Sequence, residues 1–246
     1  MTRALWEYVH DDRAIDASDE QFSQGGELEL DEAILNDIIR PPGVVVDLGC
    51  GIGRLAVPLA RRGLRCVAVD LSHAALKAVE RHARAAALPI DCLLANLVDF
   101  DCLRDRSADY CMAMYSTLGM IRGRDNRLQA LRHVRRILKP GGTLVVHVHN
   151  RWHNIFQPQS RWWLAVNLAK SLARPNVEAG DKFFDYHGVP NMFLHVYTRG
   201  ELVSDLRRAG FRIERLIPLS TERRETLRAP WFLGWLRAGG WIAVCR

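Results

Sequence analysis

Residues 44–60 read VVVDLGCGIGRLAVPLA, and the fold turns on this stretch. Val44 to Leu48 is a β-branched, apolar run of a length that suits one buried strand, with Asp47 as its only polar residue. Glycines follow at Gly49, Gly51 and Gly53, and Gly53 to Arg62 reads as a helix. A glycine turn between a strand and a helix lets backbone N–H groups approach a ligand with no Cβ in the way. The spacing excludes two common phosphate cradles. Counted from Gly49, a dinucleotide fingerprint would need its third glycine where this chain has Arg54, and no Gly-Lys-Ser/Thr follows for a P-loop.

Outward from the turn, apolar runs alternate with helix-like stretches. Arg65 to Val69, Asp91 to Leu94, Ala108 to Met114 and Thr143 to His149 read as strands; His73 to Ala87 and Asp125 to Leu138 read as helices. Pro140-Gly141-Gly142 punctuates the last helix-to-strand step. Further on, Glu201 to Ala209 is a helix closed by Gly210, and Phe211 to Leu216 and Trp241 to Cys245 are strands. Such alternation predicts a parallel sheet with helices on both faces. Residues 150–198 break the rhythm with an aromatic-rich insertion, a length that usually carries function.

Composition bounds the classes. The chain has 246 residues, 48% hydrophobic and 25% charged, with no apolar run long enough to span a bilayer. The opening MTRALWEYVHDDRAIDASDE lacks the uninterrupted apolar core of a signal peptide, so a cytoplasmic location is expected. Six scattered cysteines form no CxxC pair, which argues for reduced thiols rather than a zinc site or disulfide framework. The net charge of +6 suits an anionic partner and equally suits simple solubility.

Asp47-Leu48-Gly49-Cys50-Gly51-Ile52-Gly53 resembles motif I of the class I S-adenosylmethionine-dependent methyltransferases. Asp70 ends the second strand about 20 residues after the turn, where a carboxylate can accept both hydroxyls of a ribose. Leu94 to Phe100 is similar to the family segment that contacts adenine, with Asn96 where the family commonly has Asp. Ala108 to Tyr115 and Leu138 to Leu144 resemble the fourth-strand motif and the junction before strand five. The resemblance spans roughly Ile34 to Leu216. It implies an α/β doubly wound, mostly parallel seven-stranded sheet with an antiparallel edge strand, helices on both faces, and the aromatic insertion after strand five. One domain is expected over 1–246, with 1–40 a helical lid, including Trp6, Tyr8 and the Gln24-Gly25-Gly26 turn, and 150–198 a substrate-side insertion.

The implied cofactor is S-adenosylmethionine, held by Asp47, Gly49, Gly51, Gly53, Asp70, Leu71, Asn96, Leu97 and Tyr115. Tyr115, with Ser116 beside it, is expected near the methyl group. His149, at the carboxyl end of the fifth strand, is the candidate general base. No metal is expected, because His147, His149, His153 and His187 have no acid or cysteine at ligand spacing. The expected acceptor is a small or amphipathic organic molecule. Two alternatives are weighed beside it. One is wobble-uridine tRNA methylation, with Arg122, Arg124, Arg127, Arg132, Arg135 and Arg136 as a phosphate track; the other is a non-catalytic sensor or partner subunit. The aromatic residues Trp152, Phe156, Trp162, Trp163, Phe183, Phe184 and Tyr186 either line an acceptor pocket or form the insertion's own core. Arg161 to Arg174 reads as a helix with an apolar face, suited to packing on the sheet or to peripheral membrane contact.

Overall fold

The computed structural model describes residues 9, 29–186, 189–222 and 225–246. Its main sheet has seven strands in the order β3-β2-β1-β4-β5-β9-β8. They are β1 (Val44–Leu48), β2 (Arg65–Asp70), β3 (Ile90–Leu94), β4 (Ala108–Ala113), β5 (Leu138–His149), β8 (Ile213–Leu219) and β9 (Gly240–Cys245). β1 to β5 pair in parallel. The expected antiparallel strand is β9, which runs against both β5 and β8 and lies one place in from that edge.

Helices cover both faces, and the sequence runs show why. In β1, Val46 and Leu48 join a core with Leu131, Val134 and Leu206, whereas Val45 joins a second core with Ile34, Leu55 and Leu59. Strand β5 divides likewise, Leu144, Val146 and Val148 against Val145. A strand buried on both sides needs apolar residues at every position, and each fully buried Val or Leu contributes roughly 1.5–3 kcal/mol. The second core is closed by α1 (Glu29–Ile38) and α2 (Ala56–Arg61); the first is closed by α5 (Arg124–Ile137) and α7 (Arg199–Arg208). Helix α3 (His73–Ala85) packs on β2 and β3, and the short α4 (Thr117–Met120) follows β4.

Two boundaries differ from the sequence reading for local reasons. Helix α2 begins at Ala56 rather than Gly53, because residues 51–55 are turns. Strand β5 begins at Leu138, with no separate turn before it. Leu138 pairs with Ala108 and Thr143 with Tyr110, so Pro140-Gly141-Gly142 is accommodated as an irregularity inside the strand.

After β5 come a 3-10 turn (Trp152–Phe156), α6 (Pro158–Ala173) and an antiparallel hairpin of β6 (Asp181–Tyr186) and β7 (Val189–His195). The hairpin was absent from the sequence reading, where its aromatic residues obscured a period of two. A Cβ at Gly119 would lie 2.7 Å from the His195 carbonyl oxygen, so α4 and β7 approach more closely there than any larger residue allows. This contact sets the insertion at the carboxyl edge of the sheet. The β8–β9 connection, containing α8 (Gly234–Arg237), leaves from the same edge because β8 runs parallel to β5.

Candidate functional site

The carboxyl edge gathers the predicted residues. Asp47 is 3% exposed at the end of β1, and the turn after it is stitched to β2. Gly49 and Cys50 N–H groups donate to the Val69 carbonyl at 2.8 and 3.0 Å. Asp70 closes β2; its two oxygens accept the backbone N–H of Gly51 and of Ser72, each at 2.8 Å. A carboxylate offers about four lone-pair sites, so Asp70 organises the turn and keeps acceptor capacity for ligand hydroxyls. Leu71 continues from it. A Cβ on Gly49 would lie 2.4 Å from Thr117 Cγ2, and its φ of +71° is left-handed, so only glycine fits. A Cβ on Gly51 would meet nothing within 4 Å among the described residues, which leaves its backbone open to a ligand. Ser72 caps α3 by accepting from Ala75 at 3.2 Å and donates to the Val9 carbonyl at 3.0 Å. Of the expected lid, Val9 and α1 are described; Trp6, Tyr8 and Gln24 to Gly26 lie outside the described residues, as does His187.

Electrostatics separate this turn from a phosphate site. Burial, and then the neighbouring Asp70 charge, push the Asp47 carboxyl up to about 8. Burial also raises Asp70, against the N–H groups of Ser72, Gly51 and Leu71. Below about 8 Asp47 is largely the neutral acid, so the negative charge at the glycine turn is that of Asp70, and it favours a cation there.

Asn96 lies just past β3, exposed, before the 3-10 turn Leu97–Asp99. Its Oδ1 accepts from Val98 N–H at 3.1 Å and its Nδ2 donates to Asp99 Oδ2 at 2.9 Å. The amide thus keeps one acceptor and one donor position for a ligand. Tyr115 and Ser116 have φ of +52° and +66°. Consecutive left-handed non-glycine residues store roughly 1–3 kcal/mol each. Tyr115 is 39% exposed, and the buried Ser116 Oγ has no hydrogen-bond partner among the described residues. His149 is half-buried at the end of β5, with its ring edge-on to His147 at 5.0 Å.

Residues 45–142 match the family model for a methyltransferase domain. The carboxy-S-adenosyl-L-methionine synthase of Pseudomonas paraeruginosa is 34% identical over 113 residues, 44% of this chain and 44% of that protein. The ubiquinone biosynthesis O-methyltransferase of Xanthomonas campestris is 30% identical over 139 residues, 56% of this chain and 53% of that protein. An S-adenosylmethionine-dependent methyltransferase from Methanosarcina mazei shares the fold at a TM-score of 0.65 and 21% identity, over 86% of this chain and 95% of that one. Residues 45–142 are a class I S-adenosylmethionine-dependent methyltransferase domain. The chain spans about half the length of the curated relatives it matches.

The cofactor of this methyltransferase family is S-adenosylmethionine, and the residues present fit it. Its sulfonium and amino group are cations, the charge that the Asp47–Asp70 pair favours, and a Cβ at Gly51 would meet nothing within 4 Å among the described residues. A pH dependence follows. Asp47 is largely protonated below about 8, and a cation bound beside it favours the ionised form. Affinity for S-adenosylmethionine should therefore rise with pH by up to about tenfold per unit, levelling off above the Asp47 value. The measurement is calorimetry from about pH 6 to pH 9 beside Asp47→Asn, which should lose that part of the slope and so separates it from titration of the ligand's own amino group. Equal slopes in the two proteins would exclude Asp47 as the titrating group.

The methyltransferase domain is joined to its insertion by a buried ionic network that was not foreseen from sequence. Arg127 on α5 is fully buried, donates to Glu178 at 2.6 Å and lies 5.5 Å above the Tyr197 ring. Arg151 pairs with Glu201 at 2.6 Å and Arg124 with Asp205 at 2.6 Å. His195 sits between two carboxylates, Nδ1 at 2.9 Å from Asp181 and Nε2 at 2.7 Å from Glu201. Carboxylates only accept, so both ring nitrogens carry protons. The imidazolium then brings the cations to four against Glu178, Asp181, Glu201 and Asp205. Glu178, His195 and Glu201 also lie close enough together to be ligands of a metal ion, but guanidinium groups already neutralise the two acids. A sequence signal did exist, since Thr198-x-x-Glu201 is a capping-box pattern, and the box forms on α7.

The six arginines of the expected track divide in the structure, with Arg122, Arg132 and Arg135 exposed and the others engaged within the protein. Arg127 and Arg124 belong to the network, Arg136 donates to the Leu103 and Phe100 carbonyls, and Arg135 lies over Phe211. The aromatic residues of the insertion divide between its core and its surface. That core includes Val189 and Met192, packed with Met120 and Phe184, whereas Phe156 and Trp162 are 50% and 77% exposed. No helix among the described residues is long and apolar enough to cross a membrane. The six cysteines are free; Cys50, Cys66, Cys111 and Cys245 are buried as expected and Cys102 is exposed.

Proposed function

We propose that this chain transfers the methyl group of S-adenosylmethionine to a small or amphipathic organic acceptor by in-line displacement. The observation that carries the reading is the acidic glycine turn, Asp47 and Asp70 around Gly49–Gly53, with the strained Tyr115–Ser116 pair beyond the end of β4. Asp70 takes the ribose hydroxyls, Asn96 and Leu97 the adenine, and the glycine turn the methionine end. Bound there, S-adenosylmethionine supplies a methyl group on a positively charged sulfur. The protein's part is to align the acceptor atom and exclude water, and no covalent intermediate is needed. Tyr115 and His149 stand on the acceptor side, and His149 can take a proton from an acceptor hydroxyl. The relative named for ubiquinone biosynthesis O-methylation supports an aromatic hydroxyl on an amphipathic molecule as the acceptor class.

The test is methyl transfer from labelled S-adenosylmethionine to a panel of hydroxylated aromatic compounds with and without an apolar tail. Label should appear in tailed phenols, and His149→Ala should lower turnover while leaving cofactor affinity unchanged. A second reading, S-adenosylmethionine chemistry other than methylation, draws support from the likeness to a carboxy-S-adenosyl-L-methionine synthase. Firm cofactor binding with no labelled product from any acceptor would favour it. Three of the six arginines that a tRNA reading would use, Arg124, Arg127 and Arg136, are paired within the protein, and salt-sensitive tRNA binding by the intact chain would favour that reading over a small acceptor.

A further inference from the structure

Helix α6 touches the rest of the chain by a thin stripe. Ser160, Leu164 and Asn167 are its buried residues, and Asn167 fastens it to the hairpin by accepting from Gly180 at 2.7 Å and donating to the Asp181 carbonyl at 3.0 Å. Its solvent side is the unusual one. Trp162, Ala165, Ala169, Leu172 and Ala173 are all exposed, Trp162 at 77% and Leu172 at 90%. At 100° per residue these five fall within about 100° of the helix circumference, so they form a continuous apolar strip. Arg161, Lys170 and Arg174 flank it, and the helix carries no acid.

A second apolar element leaves the same edge of the sheet. In the β8–β9 connection, Trp231 is 85% exposed, Phe232 55% and Trp235 49%. This tip is held in shape. Arg237 donates to the carbonyls of Ala229 and Phe232 at 3.3 and 3.0 Å and lies 5.8 Å from the Phe232 ring. Ala229 and Leu233 adopt left-handed φ of +49° and +47°, so backbone strain is spent on displaying the aromatic residues. The 3-10 turn Trp152–Phe156 packs against both α6 and α8, and Trp152 meets Trp235 edge-on at 6.1 Å. Ile155 and Phe156, on that bridging turn, are 37% and 50% exposed.

We propose that the outer strip of α6 and the Trp231–Phe232 tip together form a docking face for the surface of an anionic lipid bilayer. Charge complementarity selects this occupant. Arg161, Lys170 and Arg174 flank the apolar strip of α6, and Arg237 lies against Phe232 in the tip. Of the two acids in the connection, Glu222 and Glu225, Glu225 is paired with Arg228 at 3.0 Å. Trp and Phe beside cations match the headgroup–acyl boundary, where an aromatic ring is half in water and arginine meets lipid phosphate. The face lies on the edge that carries the cofactor residues, so docking brings the site to the membrane. It stands independently of the reaction catalysed.

Vesicle flotation tests the proposal with the intact chain and no cofactor. The protein should float with vesicles of phosphatidylcholine containing about one third phosphatidylglycerol, and much less with phosphatidylcholine alone. Raising salt from about 0.05 to 0.5 M should weaken the interaction severalfold. Two surface variants, Trp162→Ser with Leu172→Ser and Trp231→Ser with Phe232→Ser, should each lower binding by about tenfold or more while retaining S-adenosylmethionine affinity. Undiminished flotation in either variant overturns the shared face. So does sedimentation showing that the wild type self-associates without lipid and that the same variants are monomeric, since the face would then seat a second copy.

Discussion

Asp70→Ala should lower the affinity for S-adenosylmethionine by roughly 2–4 kcal/mol, about 30- to 900-fold. Two effects point the same way. A ribose would lose a half-buried charged acceptor for both hydroxyls, and the Gly51 and Ser72 N–H groups lose the carboxylate that fixes the turn at 2.8 Å. Asp70→Asn should fall between wild type and Ala, because an amide oxygen can still receive one of those N–H groups. Thermal unfolding should change little: burial pushes the Asp70 carboxyl above its ordinary range, so its removal also relieves an electrostatic penalty. Unchanged affinity in a folded Asp70→Ala protein would contradict the placement of the ribose.

The second large effect is on stability. Glu201→Ala should destabilise the fold by roughly 3–5 kcal/mol, a large part of the 5–15 kcal/mol that holds a typical domain. Glu201 faces His195 at 2.7 Å, Arg151 at 2.6 Å and Arg127 at 3.9 Å, so its loss leaves buried cations with one carboxylate too few. It also closes the capping box of α7. The pH profile carries its own signature. Burial alone would lower His195, but the bonds to Asp181 and Glu201 outweigh it and raise the imidazolium above its ordinary 6.5. A raised histidine contributes stability that is fully present below the unfolded value and disappears as pH rises through the folded one. Wild type should therefore lose stability as pH climbs above about 6.5, and Glu201→Ala should show a much smaller loss. Chemical denaturation across that range measures both. A variant as stable as wild type, with an unaltered profile, would show that the network holds nothing together.

What was legible in the sequence follows the physics of each element. The strands around Val44, Arg65 and Leu144 could be read because burial on both faces demands unbroken apolar runs. The cofactor residues could be read because the turn has few solutions: Gly49 tolerates no Cβ beside Thr117, and the carboxylate at Asp70 must follow one strand later. Thr117 itself was invisible, since its importance is a close approach across the fold. The same holds for the Arg127–Glu178 and His195–Asp181 pairs, whose partners are 51 and 14 residues apart. Charged residues in α5 read as a surface face until the insertion folds over Arg127 and buries it. The hairpin of β6 and β7 escaped notice because Phe183 and Phe193 meet across it and the pattern carries no polar alternation.

The most direct test of the central claim is calorimetric titration of the purified chain with S-adenosylmethionine and, separately, with NADH. The account predicts saturable one-to-one binding of S-adenosylmethionine, its weakening by about 30-fold or more in Asp70→Ala, and no heat from NADH, for which the turn has Arg54 in place of the third glycine of a dinucleotide fingerprint. Tighter binding of NADH, or no binding of S-adenosylmethionine by the folded protein, would contradict it.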